Sequence, residues 1–200
     1  IYFMKKRILI IITLFSFYSI NSQIIYNWQN STEGWVSGGN CNLTAQPDAM
    51  AMRLFASNAV MRSGNLQANL GINGGDYNQV QVMIKNPTSG SAVARLFLYP
   101  PGTNTAACYY TFQVGTAMTG FSTYTISLDS LPSGGSSTVY TGPIARFGLR
   151  APWGGVNFDT IYWKQMIVSN TNQVTDSANI TFKVDMSQVS DPFSTPELNG

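Results

Sequence analysis

The sequence predicts an all-β fold over residues 24–170, a jelly-roll sandwich of two packed antiparallel sheets. Three observations predict it. Short segments alternate apolar with polar residues, the period of a half-buried strand. Clusters of turn-forming residues separate them, such as "NPTSGS" (86–91), "PPGTNT" (100–105) and "LPSGGSS" (131–137). No fixed short repeat is visible, which argues against a parallel solenoid.

The elements follow in order. Segments 24–28, 41–46, 49–55 and 59–63 are candidate strands near the start. The clearest strand is 77–85, where Val80, Val82 and Ile84 face one way and Gln79, Gln81 and Met83 the other. In 92–99, Ala94, Leu96 and Leu98 alternate with Val93, Arg95, Phe97 and Tyr99. In 108–114, Cys108, Tyr110, Phe112 and Val114 oppose Tyr109, Thr111 and Gln113. Segment 121–128 turns Tyr124, Ile126 and Leu128 inward, and 144–150 sets Ala145, Phe147 and Leu149 against Arg146, Gly148 and Arg150. The last strand covers about 157–168, with Trp163 in the core, and Trp35 is placed to plug one end. Roughly eight to ten strands result, enough for two sheets.

The ends read differently. Residues 1–3 precede the first methionine. Residues 4–22 combine a basic start, a short apolar run and a small residue at the end, the pattern of a secretory signal peptide. Residues 171–178 are polar and read as a linker. From 179 to 200 a new alternation begins, the truncated start of a second β-sandwich. Lys5, Lys6 and Arg7 are three of the 11 basic residues; the other 8 against 9 acidic residues leave a net charge of −1 (8 − 9). No basic surface for nucleic acid is expected on that balance. Nor is stable membrane insertion expected once the signal is cleaved, and the domain is expected to be monomeric.

Histidine is absent. Its absence excludes Ser-His-Asp and Cys-His catalysis and histidine-ligated zinc. Segment 24–170 holds the carboxylates Glu33, Asp48, Asp76, Asp129 and Asp159. Nothing pairs them as a glycosidase would need, and turn chemistry accounts for Asp76 and Asp129. Glu33 and Asp159 stand near the first and last strands. If those strands are neighbours, the two acids and loop carbonyls suit a structural Ca²⁺, which takes about 6–8 oxygens. The alternative is an Asp159 that accepts backbone N–H bonds and a solvated Glu33. Cys41 and Cys108 either pair, as an exported protein allows, or are two small buried residues.

The outward positions carry the candidate binding groups: Arg95 and Tyr99, then Tyr109, Thr111 and Gln113, then Arg146 and Arg150, with Trp153 on the Gly-Gly loop that follows. Sugars bind by laying CH faces on aromatic rings while polar side chains take the hydroxyls. The plain alternative is the wet face that any antiparallel sheet has. A lyase using Tyr109 and Arg95 lacks a supporting acid or base.

"TEGW", "YNQVQVMIKNPTSGSAVARLFLY", "FSTYTISLDSL" and "IARFGLRAPWGGVNFDTIYWKQMIV" together resemble the carbohydrate-binding-module-like, galactose-binding-like jelly rolls of secreted Bacteroidetes polysaccharide-degrading proteins. "NITFKVDMSQVSDPFSTPELNG" resembles the opening of a starch-binding-type or immunoglobulin-like module found beside glycoside hydrolases such as laminarinase-like β-glucanases. The resemblance implies a secreted or cell-surface, non-catalytic polysaccharide-binding module at the front of a multidomain glycoside hydrolase-type protein. A β-glucan-like ligand is the one it favours, with Asp159 and Glu33 holding calcium. A structural spacer or adhesion module is the alternative.

Overall fold

A computed structural model describes residues 23–171. The expected signal peptide at 4–22 and second module at 179–200 lie outside the described residues, as does nearly all of the linker. The strands are β1 (Ile24–Asn27), β2 (Val36–Gly39), β3 (Cys41–Ala45), β4 (Met50–Leu54), β5 (Val60–Arg62), β6 (Ile72–Asn73), β7 (Gln79–Lys85), β8 (Val93–Tyr99), β9 (Cys108–Gln113), β10 (Ser122–Ser127), β11 (Pro143–Ile144), β12 (Arg146–Arg150) and β13 (Thr160–Ser169). One sheet has the order β10-β7-β13-β4-β3, with β1 also on β13. The other has the order β2-β5-β12-β8-β9, and β6 with β11 makes a small ribbon. Among the described residues no helix is long and apolar enough to cross a membrane.

The alternation read from the sequence is the inside-outside alternation of the sandwich. Val80, Val82, Ile84, Ala94, Leu96, Leu98, Phe147 and Leu149 are all buried, and they meet in one core with Trp28, Met52 and Trp163. Trp35 is buried edge-on against Trp28, with ring centroids 5.1 Å apart. Cys41 and Cys108 are unpaired. They belong to β3 and β9 in different sheets, and the Cys41 thiol donates to the Val60 carbonyl at 3.3 Å.

Three strands exceed the segments read from sequence, each for a physical reason. β2 reads Val-Ser-Gly-Gly, with no apolar rhythm. It is a strand because β5 pairs with it across a bulge between Ser37 and Gly39. β6 is a two-residue strand, too short for periodicity to show. Segment 144–150 divides, because Ile144 pairs with Ile72 while Arg146 pairs with Tyr99.

β13 holds the larger sheet together. β7 flanks it on one side. On the other side β4 covers Thr160 to Trp163, and β1 covers Gln165 to Val168. The exchange of partners coincides with a bulge at Lys164. The bulge changes which positions point inward: Ile161 and Trp163 are buried before it, Met166 and Val168 after it.

Candidate ligand-binding face

β8, β9, β12 and β5 lie side by side, so their outward positions form one surface. The register sets Arg146 opposite Tyr99, Gly148 opposite Phe97 and Arg150 opposite Arg95. On the β9 side Tyr109 faces Phe97, Thr111 faces Arg95 and Gln113 faces Val93. On the β5 side Arg62 faces Gly148.

Gly148 makes the centre of this face possible. A Cβ there would stand 2.6 Å from Tyr99 Cε2, so the tyrosine ring lies over bare backbone. Guanidinium groups flank that ring, Arg62 at 5.1 Å and Arg146 at 5.3 Å from its centroid. Phe97 follows at 6.2 Å from Tyr99 and 5.6 Å from Tyr109, and Arg95 lies 4.7 Å over Tyr109. The rings hold the cationic groups by quadrupole attraction and limit their rotamers.

Loops border the face. Arg146 is 1% exposed; it donates to Asn104 Oδ1 at 3.3 Å and, by Nη2, to the Thr103 carbonyl. Arg150 Nε donates to the Ser57 carbonyl at 3.1 Å. At the β9 edge, Tyr109 N–H donates to the Gly134 carbonyl at 3.0 Å, and Thr111 N–H to Ser133 Oγ at 2.8 Å. That loop covers backbone that β9, as an edge strand, would otherwise leave unpaired.

The face is cationic. Segment 23–171 has seven Lys and Arg against five Asp and Glu, a net +2 (7 − 5), and four of the seven are Arg62, Arg95, Arg146 and Arg150. None of the five strands of this sheet contains Asp or Glu. Burial pushes the Arg146 pKa down and Arg62 adds to the effect, while Tyr99 opposes it. Burial likewise lowers that of Arg150, with Arg95 adding to it. The charge balance of the sequence argues only against a basic surface for nucleic acid and does not foresee this patch of arginines. Net charge averages over the chain, whereas pairing of distant strands gathers arginines 62, 95, 146 and 150.

The other residues singled out from sequence lie elsewhere or at the margin. Gln113 is exposed at the end of β9. Trp153 is half-buried against the core, and its carbonyl accepts from Ser91 N–H at 2.7 Å, which ties two loops together. β1 and β13 are neighbours, as the calcium expectation required. However, β4 occupies β13's flank from Trp163 to Thr160, and Asn30 N–H turns away to the Gln46 carbonyl. Glu33 sits in an exposed turn where its N–H donates to Ser31 Oγ at 2.9 Å. Asp159 Oδ2 accepts from Val156 N–H at 3.4 Å and lies against Gly154. Among the described residues no group of three or more Cys, Asp or Glu could hold a metal ion. An open cleft of about 570 Å³ adjoins Asp159, lined by Thr88, Phe158 and Tyr162 among others. Arg53 lies 4.6 Å over the Phe158 ring there.

No family model and no curated protein matches the chain significantly. Solved structures do. A family 11 carbohydrate-binding module from Clostridium thermocellum, in complex with a β-1,3-1,4-mixed-linked tetrasaccharide, aligns with 76% of this chain and 98% of its own. The TM-score is 0.51 at 11% identity. The chain has the fold of a carbohydrate-binding module. An arabinose-bound α-L-arabinofuranosidase, MgGH51, aligns at TM-score 0.52 and 12% identity over 74% of this chain and 26% of its own. The fold is therefore also present as a minor part of a longer enzyme.

Two members of the face, Arg62 and Phe97, were not among the sequence candidates. Phe97 shares its parity with Arg95 and Tyr99, a signal the sequence did carry. Arg62 lies in a three-residue strand, and only its partner β12 shows that it belongs here.

Proposed function

We propose that this chain is a non-catalytic polysaccharide-binding module. In this reading it is exported or surface-borne and targets a multidomain glycoside hydrolase-type protein to its substrate. The observation that carries the reading is the outward cluster of Tyr99, Phe97 and Tyr109 interleaved with four arginines. Tyr99 and Tyr109 stiffen guanidinium groups. Half-buried Phe97 offers apolar surface to a sugar's CH face, and the arginines offer donors to its oxygens. A sheet without a carboxylate also lacks the acid pair of glycoside hydrolysis. Tethering would act by raising effective substrate concentration.

The spacer or adhesion reading has one observation in its favour: Tyr99 is 4% and Arg146 1% exposed, so part of the face is spent on internal packing. Affinity electrophoresis separates the two. The chain should be retarded by at least one gel in a panel of β-glucans, including mixed-linkage glucan, with xylan, mannan, alginate and polygalacturonate. Free migration in all of them refutes binding. Calcium at Glu33 or Asp159 is tested by melting in CaCl₂ and in EDTA; equal melting points exclude a structural ion.

A further inference from the structure

We propose that the glycan taken by this face is acidic, with carboxylate or sulfate groups seated on Arg62, Arg95 and Arg150. The inference rests on the glycan-binding reading above and names its ligand class.

Arg95 and Arg150 are directly opposite one another across β8 and β12. Like charges in that relation destabilise a sheet. Arg62 and Arg146 also gather at one place, both against the Tyr99 ring, although the register sets Arg62 opposite Gly148 and Arg146 opposite Tyr99. Among the described residues no carboxylate forms an ion pair with any of these four arginines. Among the described residues the side chains of Arg62 and Arg95 make neither a hydrogen bond nor an ion pair, and the Nε atoms of Arg62, Arg95 and Arg146 are buried without a partner.

Buried, uncompensated charge is costly. A neutral hydroxyl accepts a bond but leaves the charge. A carboxylate or sulfate matches the guanidinium fork with two oxygens and neutralises it. Arg150 is already aimed by its Nε bond to Ser57, which leaves its two Nη groups free to make that fork. The rings argue for a saccharide chain over a nucleic acid. The Tyr99 and Tyr109 rings already carry guanidinium groups, which leaves no pair of open platforms for stacked bases.

Titration calorimetry of the whole chain tests this with polygalacturonate and alginate as carboxylate ligands and carrageenan as the sulfate ligand. Xylan and mixed-linkage glucan are the neutral ligands, and single-stranded DNA is the control polyanion. The expected result is binding to a carboxylated or sulfated glycan, and the tighter arm names the anion. Affinity should fall about tenfold as NaCl rises from about 0.05 to about 0.5 M. R95Q and R150Q should each weaken it about tenfold or more, as loss of a charge-assisted bond does, and R95K should fall between. R95Q removes a like-charge pair and a contact with the Tyr109 ring, which offset, so it should melt close to the parent and lost affinity would not reflect unfolding. Binding to neutral glycans alone overturns this proposal and leaves the glycan-binding reading standing. DNA bound as tightly as the acidic glycans overturns it too. Silence across the panel overturns both.

Discussion

Gly148→Ala tests the geometry at the centre of the face. Gly148 has ordinary negative-φ backbone in β12, so alanine meets no conformational strain there. Alanine should even gain about 0.5–1 kcal/mol by restricting the unfolded chain. Against that, its Cβ would stand 2.6 Å from Tyr99 Cε2 and 3.3 Å from the Met61 carbonyl. If the ring stays, the methyl overpacks the site at about 1–3 kcal/mol. If the ring leaves, two ring–guanidinium contacts are lost at about 0.5–1 kcal/mol each, together with the burial of a side chain now 4% exposed. Both routes lead to a net loss of about 1–2 kcal/mol after the entropic gain. For a chain of this size that lowers the melting point by about 2–8 °C. Gly120→Ala is the control, since a Cβ there meets nothing within 4 Å. In a Tyr99→Ala background the cost of Gly148→Ala should vanish, because the colliding ring is gone. If Gly148→Ala melts with the parent, or costs as much without Tyr99, the ring does not depend on the glycine.

Three further outcomes follow from other parts of the fold. Gly154→Ala should destabilise by about 1–3 kcal/mol, because its methyl would overlap the Asp159 carboxylate; urea titration should show the loss shrinking in an Asp159→Ala background. Alkali should weaken the fold. Burial raises the Cys108 thiol from 9.0 to about 11 and the Tyr110 hydroxyl from 10.0 to about 12. The native state therefore holds protons that the unfolded chain has released. The associated stability is complete below pH 9 and lost as pH rises toward 11 and 12, so melting points should fall across that window and Cys108→Ala should flatten its early part. Iodoacetamide near neutral pH should leave the native chain unmodified and label both Cys41 and Cys108 in urea, since both are buried and unpaired; mass spectrometry reads the difference, and no labelling after unfolding would mean a disulfide.

Much of the sandwich was legible because strand periodicity is local. Tyr77-to-Tyr99 sequence alone separates Val80, Val82, Ile84, Ala94, Leu96 and Leu98 from their outward neighbours, and burial agrees at every one. The same parity placed Arg95, Tyr99, Tyr109, Arg146 and Arg150 outward. What local sequence cannot hold is register. The split at Ala145, the strand made of Val36–Gly39 and the bulge at Lys164 exist because of the strands beside them.

The candidate site shows the same division. From the sequence came the all-β class, the inward and outward sets, and the absence of histidine that removes whole classes of catalysis. Tertiary structure alone decided that Arg62 joins Arg95, Arg146 and Arg150, that Gly148 leaves room for Tyr99, and that β4 and β1 share one flank of β13. Alternation is a property of neighbours along one strand. A surface charge, a ring's resting place and a pair of facing acids depend on which strands lie side by side, and hydrogen-bond pairing between residues far apart in sequence settles that.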